Sequence, residues 1–121
     1  MKFLHTADWH IGKRLHEYPL VKEQQDALDQ IAQIAQKEQV DAVVVAGDLY
    51  DRSLPSEEAV TLVNQALKNL NLKADLPLLA ISGNHDSAVR LATGQEWFKQ
   101  TKLYLHTKLA EAFTPIEFCL L

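Results

Sequence analysis

The feature that most constrains this 121-residue chain is a recurring pair of signals. A short apolar run ends in Asp, Asn or His, and a stretch of helical periodicity follows it. The runs are "FLHTADWH", "DAVVVAGDLYD" and "LPLLAISGNHD", set roughly 40 residues apart. Residues 40–46 are rich in β-branched side chains and do not alternate with polar ones, as a strand buried on both faces requires. Residues 3–7 and 76–82 also read as strands. Between them, residues 20–38 place Leu20, Ala27, Leu28, Ile31, Ile34 and Ala35 at helical spacing, with polar residues opposite. Pro55 and Ser56 open a second helix with acids in its first turn, which suits the helix dipole. Its expected buried face is Val60, Val63, Ala66, Leu67 and Leu70. Ser87 is placed to cap a third helix that runs to about Gln100.

The order β-α-β-α-β-α predicts an α/β fold. It implies a parallel sheet with helices on both faces and right-handed crossovers. Ligands in such sheets bind beyond the carboxyl ends of the strands, which is where all three clusters fall. Residues 8–19 and 47–54 are expected as loops, and residues 103–106 and 116–121 as strands of a further sheet layer. The chain stops inside the apolar "FCLL", which suggests truncation.

No apolar run reaches bilayer-spanning length, and the N-terminus lacks the pattern of a secretory signal. Cys119 is the single cysteine, which excludes a disulfide framework and a thiolate zinc site. A cytoplasmic protein is expected. The net charge of −4 does not advertise a nucleic-acid binder. Asp8, Asp48, Asp51 and Asp86 nevertheless all lie in the three clusters, where two divalent cations would offset about four negative charges.

The clusters suggest a metal-assisted hydrolase. In Asp8-Trp9-His10, an extended backbone would put Asp8 and His10 on one side and turn Trp9 into packing. Gly47 and Gly83 would permit tight turns that present Asp48 and Asn84 at the sheet edge, with His85 close to a phosphoryl group. Oxygen and nitrogen donors without thiolate suit manganese, iron or zinc. Taken singly, each Asp or Asn is equally a turn residue or helix cap. Asp51 and Asp86 either cap a helix, orient a ligand from behind, or ligate directly. A basic residue follows each cluster: Lys13 and Arg14, then Arg52, then Arg90. These either rim the site and contact phosphate or are solvated surface charges. His5 is expected as a packed core histidine, His16 and His106 as surface or structural residues, and Tyr50, Tyr104, Trp97 and Cys119 as packing residues.

D-x-H, G-D-x-x-D and G-N-H-D, in this order and spacing, resemble the calcineurin-like metallophosphoesterases. Within that family, "LHTADWHIGK", "DAVVVAGDLYDRSLPS" and "LLAISGNHDS" are similar to the opening of the bacterial DNA-exonuclease branch. The resemblance implies a four-layer αββα sandwich carrying two divalent ions, Mn2+ foremost. It implies that Asp8 and His10 hold the first metal, Asp48 bridges both, Asn84 holds the second and His85 assists the leaving group. It further implies exonuclease and endonuclease action on double-stranded DNA ends and hairpins. The implied partner is an ATPase of the structural-maintenance-of-chromosomes type, with homodimerisation through helices of the nuclease domain. The family's later "GH" and "GHxH" motifs have no counterpart after Asp86, where the only histidine is His106. Residues 1–121 are thus expected to be the N-terminal portion of the domain, with about half of a two-metal ligand set. Other readings are a small-molecule phosphodiesterase, a phosphoprotein phosphatase, or an inactive fragment acting as a folding or dimerisation module.

Overall fold

A computed structural model describes residues 1–84, 86–87, 90, 94 and 98–117. The main sheet contains β1 (Phe3–Thr6), β4 (Ala42–Ala46), β5 (Leu78–Ile81) and β6 (Leu103–His106). A two-stranded hairpin, β2 (Arg14–Leu15) and β3 (Tyr18–Pro19), follows β1. The helices are α1 (Val21–Lys37) and α2 (Glu57–Lys68). The main sheet has the order β1-β4-β5-β6, and every neighbouring pair is parallel. The α/β class and the strand–helix alternation are therefore as expected through β5.

Register explains the core. Val43 pairs with Leu78, which pairs with Leu103; Val45 pairs with Ala80, which pairs with Leu105. These rows are buried. They pack in one cluster with Leu28 and Ala35 of α1 and with Ala59, Leu62, Val63 and Ala66 of α2. Each fully buried Val or Leu stabilises by roughly 1.5–3 kcal/mol relative to an exposed one. The helical stripe is narrower than the spacing suggested: Leu28 and Ala35 are buried, whereas Ala27 and Ile34 are exposed. Ser56 caps α2, its hydroxyl accepting from Ala59 N at 3.2 Å. Beyond Lys68 the helix widens into a π-turn, Asn69–Lys73, which buries Leu70 and Asn71. The Asn71 amide donates to Leu76 O at 2.9 Å and Thr101 O at 2.8 Å, tying that turn to both strand approaches.

Several expectations are corrected. Residues 103–106 do not begin a further layer; they form the fourth strand of the same sheet, parallel to β5. Helices on both faces are not seen among the described residues, because α1 and α2 pack against each other and on the same face. The strand order explains this: it advances in one direction, so right-handed crossovers all fall on one side. The opposite face carries His5, Val44, Leu79 and Tyr104 in one row and Ala46, Ile81 and His106 in the next. It is half-buried to exposed, with Ile81 53% accessible. His5 is thereby exposed rather than packed in the core. The 8–19 loop contains the β2–β3 hairpin, turned by His16 at φ 48° and Glu17 at φ 68°. Such two-residue turns are usually built from Asn or Gly, so the sequence carried no signal for it. Residues 118–121, with Cys119, and most of the expected third helix, with Trp97, lie outside the described residues. Ile116 and Glu117 are not in a strand.

Candidate metal centre

Beyond β1 and β4 the chain does not simply turn away. Residues 8–11 run beside residues 47–51 and continue the parallel pairing into the loops. Asp8 N donates to Gly47 O at 3.1 Å, His10 N to Asp48 O at 2.9 Å and Ile11 N to Leu49 O at 3.0 Å. Asp51 N returns a bond to Ile11 O at 3.1 Å, which makes Ile11 and Tyr50 an isolated parallel bridge. Four backbone bonds thus carry the pairing of β1 and β4 on into the loops at the carboxyl edge.

Three residues in this paired segment adopt left-handed backbone without being glycine: Asp8 at φ 53°, His10 at φ 45° and Asp48 at φ 50°. A side chain in this region is strained and persists there only where its surroundings impose it, and Asp and His are among the residues that tolerate it best. The expected extended geometry for Asp8-Trp9-His10 is therefore replaced by two left-handed residues flanking Trp9. The outcome for Trp9 is the one foreseen. Its ring is buried, and its indole N–H donates to Thr6 Oγ1 at 3.0 Å.

The left-handed turns bring the donors together. One donor atom each from Asp8, His10 and Asp48 lies within 4.8 Å of the others. His10 Nε2 is 3.8 Å from Asp8 Oδ1 and 3.7 Å from Asp48 Oδ2. On the other side of the ring, His10 Nδ1 is 3.4 Å from Asp51 Oδ1. The Asp8 carboxylate is 70% exposed and that of Asp48 only 9%. The group thus opens to solvent on one side and is backed by the core on the other. Two carboxylates and an imidazole at this separation fit a divalent cation, which would replace the water that a buried carboxylate loses.

Asp48 is also held from behind. A Cβ on Gly83 would fall on the Asp48 carboxylate Oδ1 and its backbone N. Gly83 is therefore required by close approach rather than by a left-handed turn. Gly47, at φ 85°, does use the left-handed region, and a Cβ there would sit 3.3 Å from Gly83 Cα. Asp86 accepts three backbone bonds: from Leu49 N at 3.1 Å and Gly83 N at 2.9 Å through Oδ2, and from Tyr50 N at 2.9 Å through Oδ1. This staples the loop after β5 to the loop after β4. The buried Tyr50 hydroxyl has its pKa raised above the usual 10.0, first by burial and second by the charge of Asp86.

Asn84 is exposed in the turn after Gly83. His85 lies outside the described residues. Arg14 donates Nη2 to Glu17 O at 2.7 Å within the hairpin. Lys13 and Arg52 are exposed. Arg90 is exposed and lines an apolar cavity of about 880 Å³ with Val63, Leu67, Phe98 and Leu103. Ser87 Oγ accepts from Arg90 N at 3.4 Å. One contributor was missed by sequence reasoning. Gln24 of α1 bonds the loop on either side of Ile11, but it stands among several similar glutamines and carries no local signal.

The family model for calcineurin-like phosphoesterase matches residues 1–118. Among curated proteins, the chain is 46% identical over 117 residues to the SbcD subunit of the nuclease SbcCD from Staphylococcus epidermidis (strain ATCC 12228 / FDA PCI 1200). That match covers 97% of this chain and 31% of the relative, so the chain spans under a third of the relative's length. No helix among the described residues is long and apolar enough to cross a membrane.

Proposed function

This chain belongs to the calcineurin-like phosphoesterase family, and from that premise we propose that it is the N-terminal portion of the nuclease domain of an SbcD-like protein. The reaction is hydrolysis of DNA phosphodiester bonds at double-stranded ends and hairpins. The observation that carries this reading is the convergence of Asp8, His10 and Asp48 at the carboxyl edge of a parallel sheet, each in a strained left-handed backbone. The similarity to a component of the nuclease SbcCD supports DNA as the substrate. It also supports an SbcC-like ATPase as partner; homodimerisation and a cytoplasmic setting are part of the same proposal.

In this reading Asp8, His10 and Asp48 would hold one divalent cation, and Asp48 and Asn84 would hold a second. Mn2+ is the proposed ion. Such ions, when bound, supply Lewis-acid charge and lower the pKa of water. The chain's own residues do the rest. Asp51, beside Nδ1, favours the tautomer that leaves the Nε2 lone pair facing Asp8 and Asp48. Asp86 fixes the spacing of the Asp48 and Asn84 loops through its three backbone bonds. His85 is proposed to protonate the leaving oxygen, and Arg14, Arg52 and Arg90 to contact phosphates.

The test is a Mn2+ titration of this chain and of Asp48→Ala, followed by incubation with linear and hairpin DNA and with bis(p-nitrophenyl) phosphate. Weak but saturable Mn2+ binding that is lost in Asp48→Ala is expected, with slow Mn2+-dependent DNA cleavage, because the chain carries about half of the two-metal ligand set. Identical titrations refute the metal centre. Cleavage of the small diester alone refutes the DNA assignment.

A further inference from the structure

We infer that Gln24 is a positioning residue for the His10 arm of the metal centre; this rests on the reading of His10 as a ligand given above. Gln24 lies in the first turn of α1, and its carboxamide is half-buried. Its Oε1 accepts from Gly12 N at 3.1 Å and its Nε2 donates to His10 O at 2.8 Å. Those two backbone groups flank Ile11. A neighbouring residue in a parallel ladder bonds in the same way, donating to the carbonyl before its partner and accepting from the N–H after it.

Ile11 spends its own N–H and C=O on the opposite side, on Leu49 O and Asp51 N. The segment carrying His10 is therefore held as a middle strand. Residues 49–51 flank it on one side; the Gln24 side chain bonds it on the other, where Lys13 N also donates to His10 O at 3.1 Å. The left-handed backbone at His10 is costly in isolation and needs support on both sides to persist. Gln24 provides one of those supports, from a helix that otherwise faces the core. The chemistry is specific to an amide. One target is a donor and the other an acceptor, so only a group offering both in one plane satisfies the pair. Glutamate has the same shape but would place an oxygen 2.8 Å from the His10 carbonyl oxygen. Methionine fills the space and offers neither bond.

The experiment measures Mn2+ affinity of the 121-residue chain by loss of the free-ion EPR signal at 10 °C, with folding verified by circular dichroism. The variants are Gln24→Glu, Gln24→Met, His10→Ala and, as a control on the exposed face of α1, Gln25→Glu. Both Gln24 variants are expected to bind Mn2+ about 10–100-fold more weakly, the range seen when groups that orient ligands are removed. Gln25→Glu stays at the wild-type affinity. In Gln24→Glu the Gly12 amide keeps its acceptor, while the His10 carbonyl keeps only the Lys13 N–H as donor and faces a carboxylate oxygen, so a wild-type affinity for this isosteric variant overturns the proposal. So does a lowered melting temperature with unchanged Mn2+ affinity, since that marks a purely structural contact. If His10→Ala weakens binding while the Gln24 variants do not, the metal centre stands and only this proposal falls. If His10→Ala binds as wild type, both fall.

Discussion

Replacing Asp86 should unfasten two loops at once, and the size of the effect follows from its bonds. The carboxylate accepts from Leu49 N and Gly83 N through Oδ2 and from Tyr50 N through Oδ1. Leu49 and Tyr50 are buried, so water reaches their backbone donors poorly once the acceptor is gone. A hydrogen bond to a charged group contributes roughly 1.5–3 kcal/mol net, and three that share one acceptor are not additive. Asp86→Ala is therefore expected to cost about 4 kcal/mol. Asp86→Asn keeps one oxygen. With that oxygen at the Oδ2 position, two bonds survive without their charge, and the amide opposes Tyr50 N as a second donor, so about 2 kcal/mol is lost. Unfolding entropy near 2.1 cal/mol/K per residue scales to roughly 250 cal/mol/K for 121 residues. The expected falls in Tm are thus about 16 °C for alanine and about 8 °C for asparagine. Far-UV circular dichroism during a thermal scan reads both. Because the Asp86 charge is one cause of the raised Tyr50 pKa, ultraviolet titration of the phenol in Asp86→Asn should also shift towards the ordinary value. Falls in Tm below about 2 °C for both variants would refute the staple, as would alanine and asparagine behaving alike.

Gly83→Ala drives a methyl group into Asp48 and is expected to cost about 1–3 kcal/mol in urea unfolding, with weaker Mn2+ binding than wild type. Ser56→Ala removes the α2 cap and should lower stability by about 1 kcal/mol, read as a Tm fall of roughly 4 °C without loss of Mn2+ binding. Tyr50 has a folded pKa raised above 10.0, so the stability it contributes is full below the unfolded value and is lost as pH rises through the folded one. The unfolding free energy should accordingly drop above about pH 10, and Tyr50→Phe should flatten that drop in urea titrations at stepped pH.

The strand–helix order was legible because it depends on local pattern alone. The unbroken "DAVVVA" cannot sit at a half-solvated edge, and it is the inner strand β4. The apolar stripe from Leu28 to Ala35 gives α1 one side that must leave water wherever it packs. The motif positions were legible for the same reason, since a parallel strand delivers whatever follows it to the carboxyl edge. Asp8, His10 and Asp48 meet there. What the sequence did not hold was the identity of neighbours. "LYLH" has the composition of any short strand, and only pairing with Leu78–Ile81 makes it the fourth member of this sheet. Which face the helices take depends on strand order, a property of the whole sheet. The left-handed backbone at Asp8 and His10, the three bonds of Asp86 and the amide of Gln24 also lie beyond local pattern. The bonds of Asp86 and Gln24 join segments that are between 12 and 37 residues apart, save the Gly83 bond within its own turn. By itself, then, the sequence determined which residues arrive at the carboxyl edge, because periodicity and strand direction are local. The tertiary structure decided how those residues are held, because hydrogen bonds between distant backbone groups leave no trace in the order of the chain.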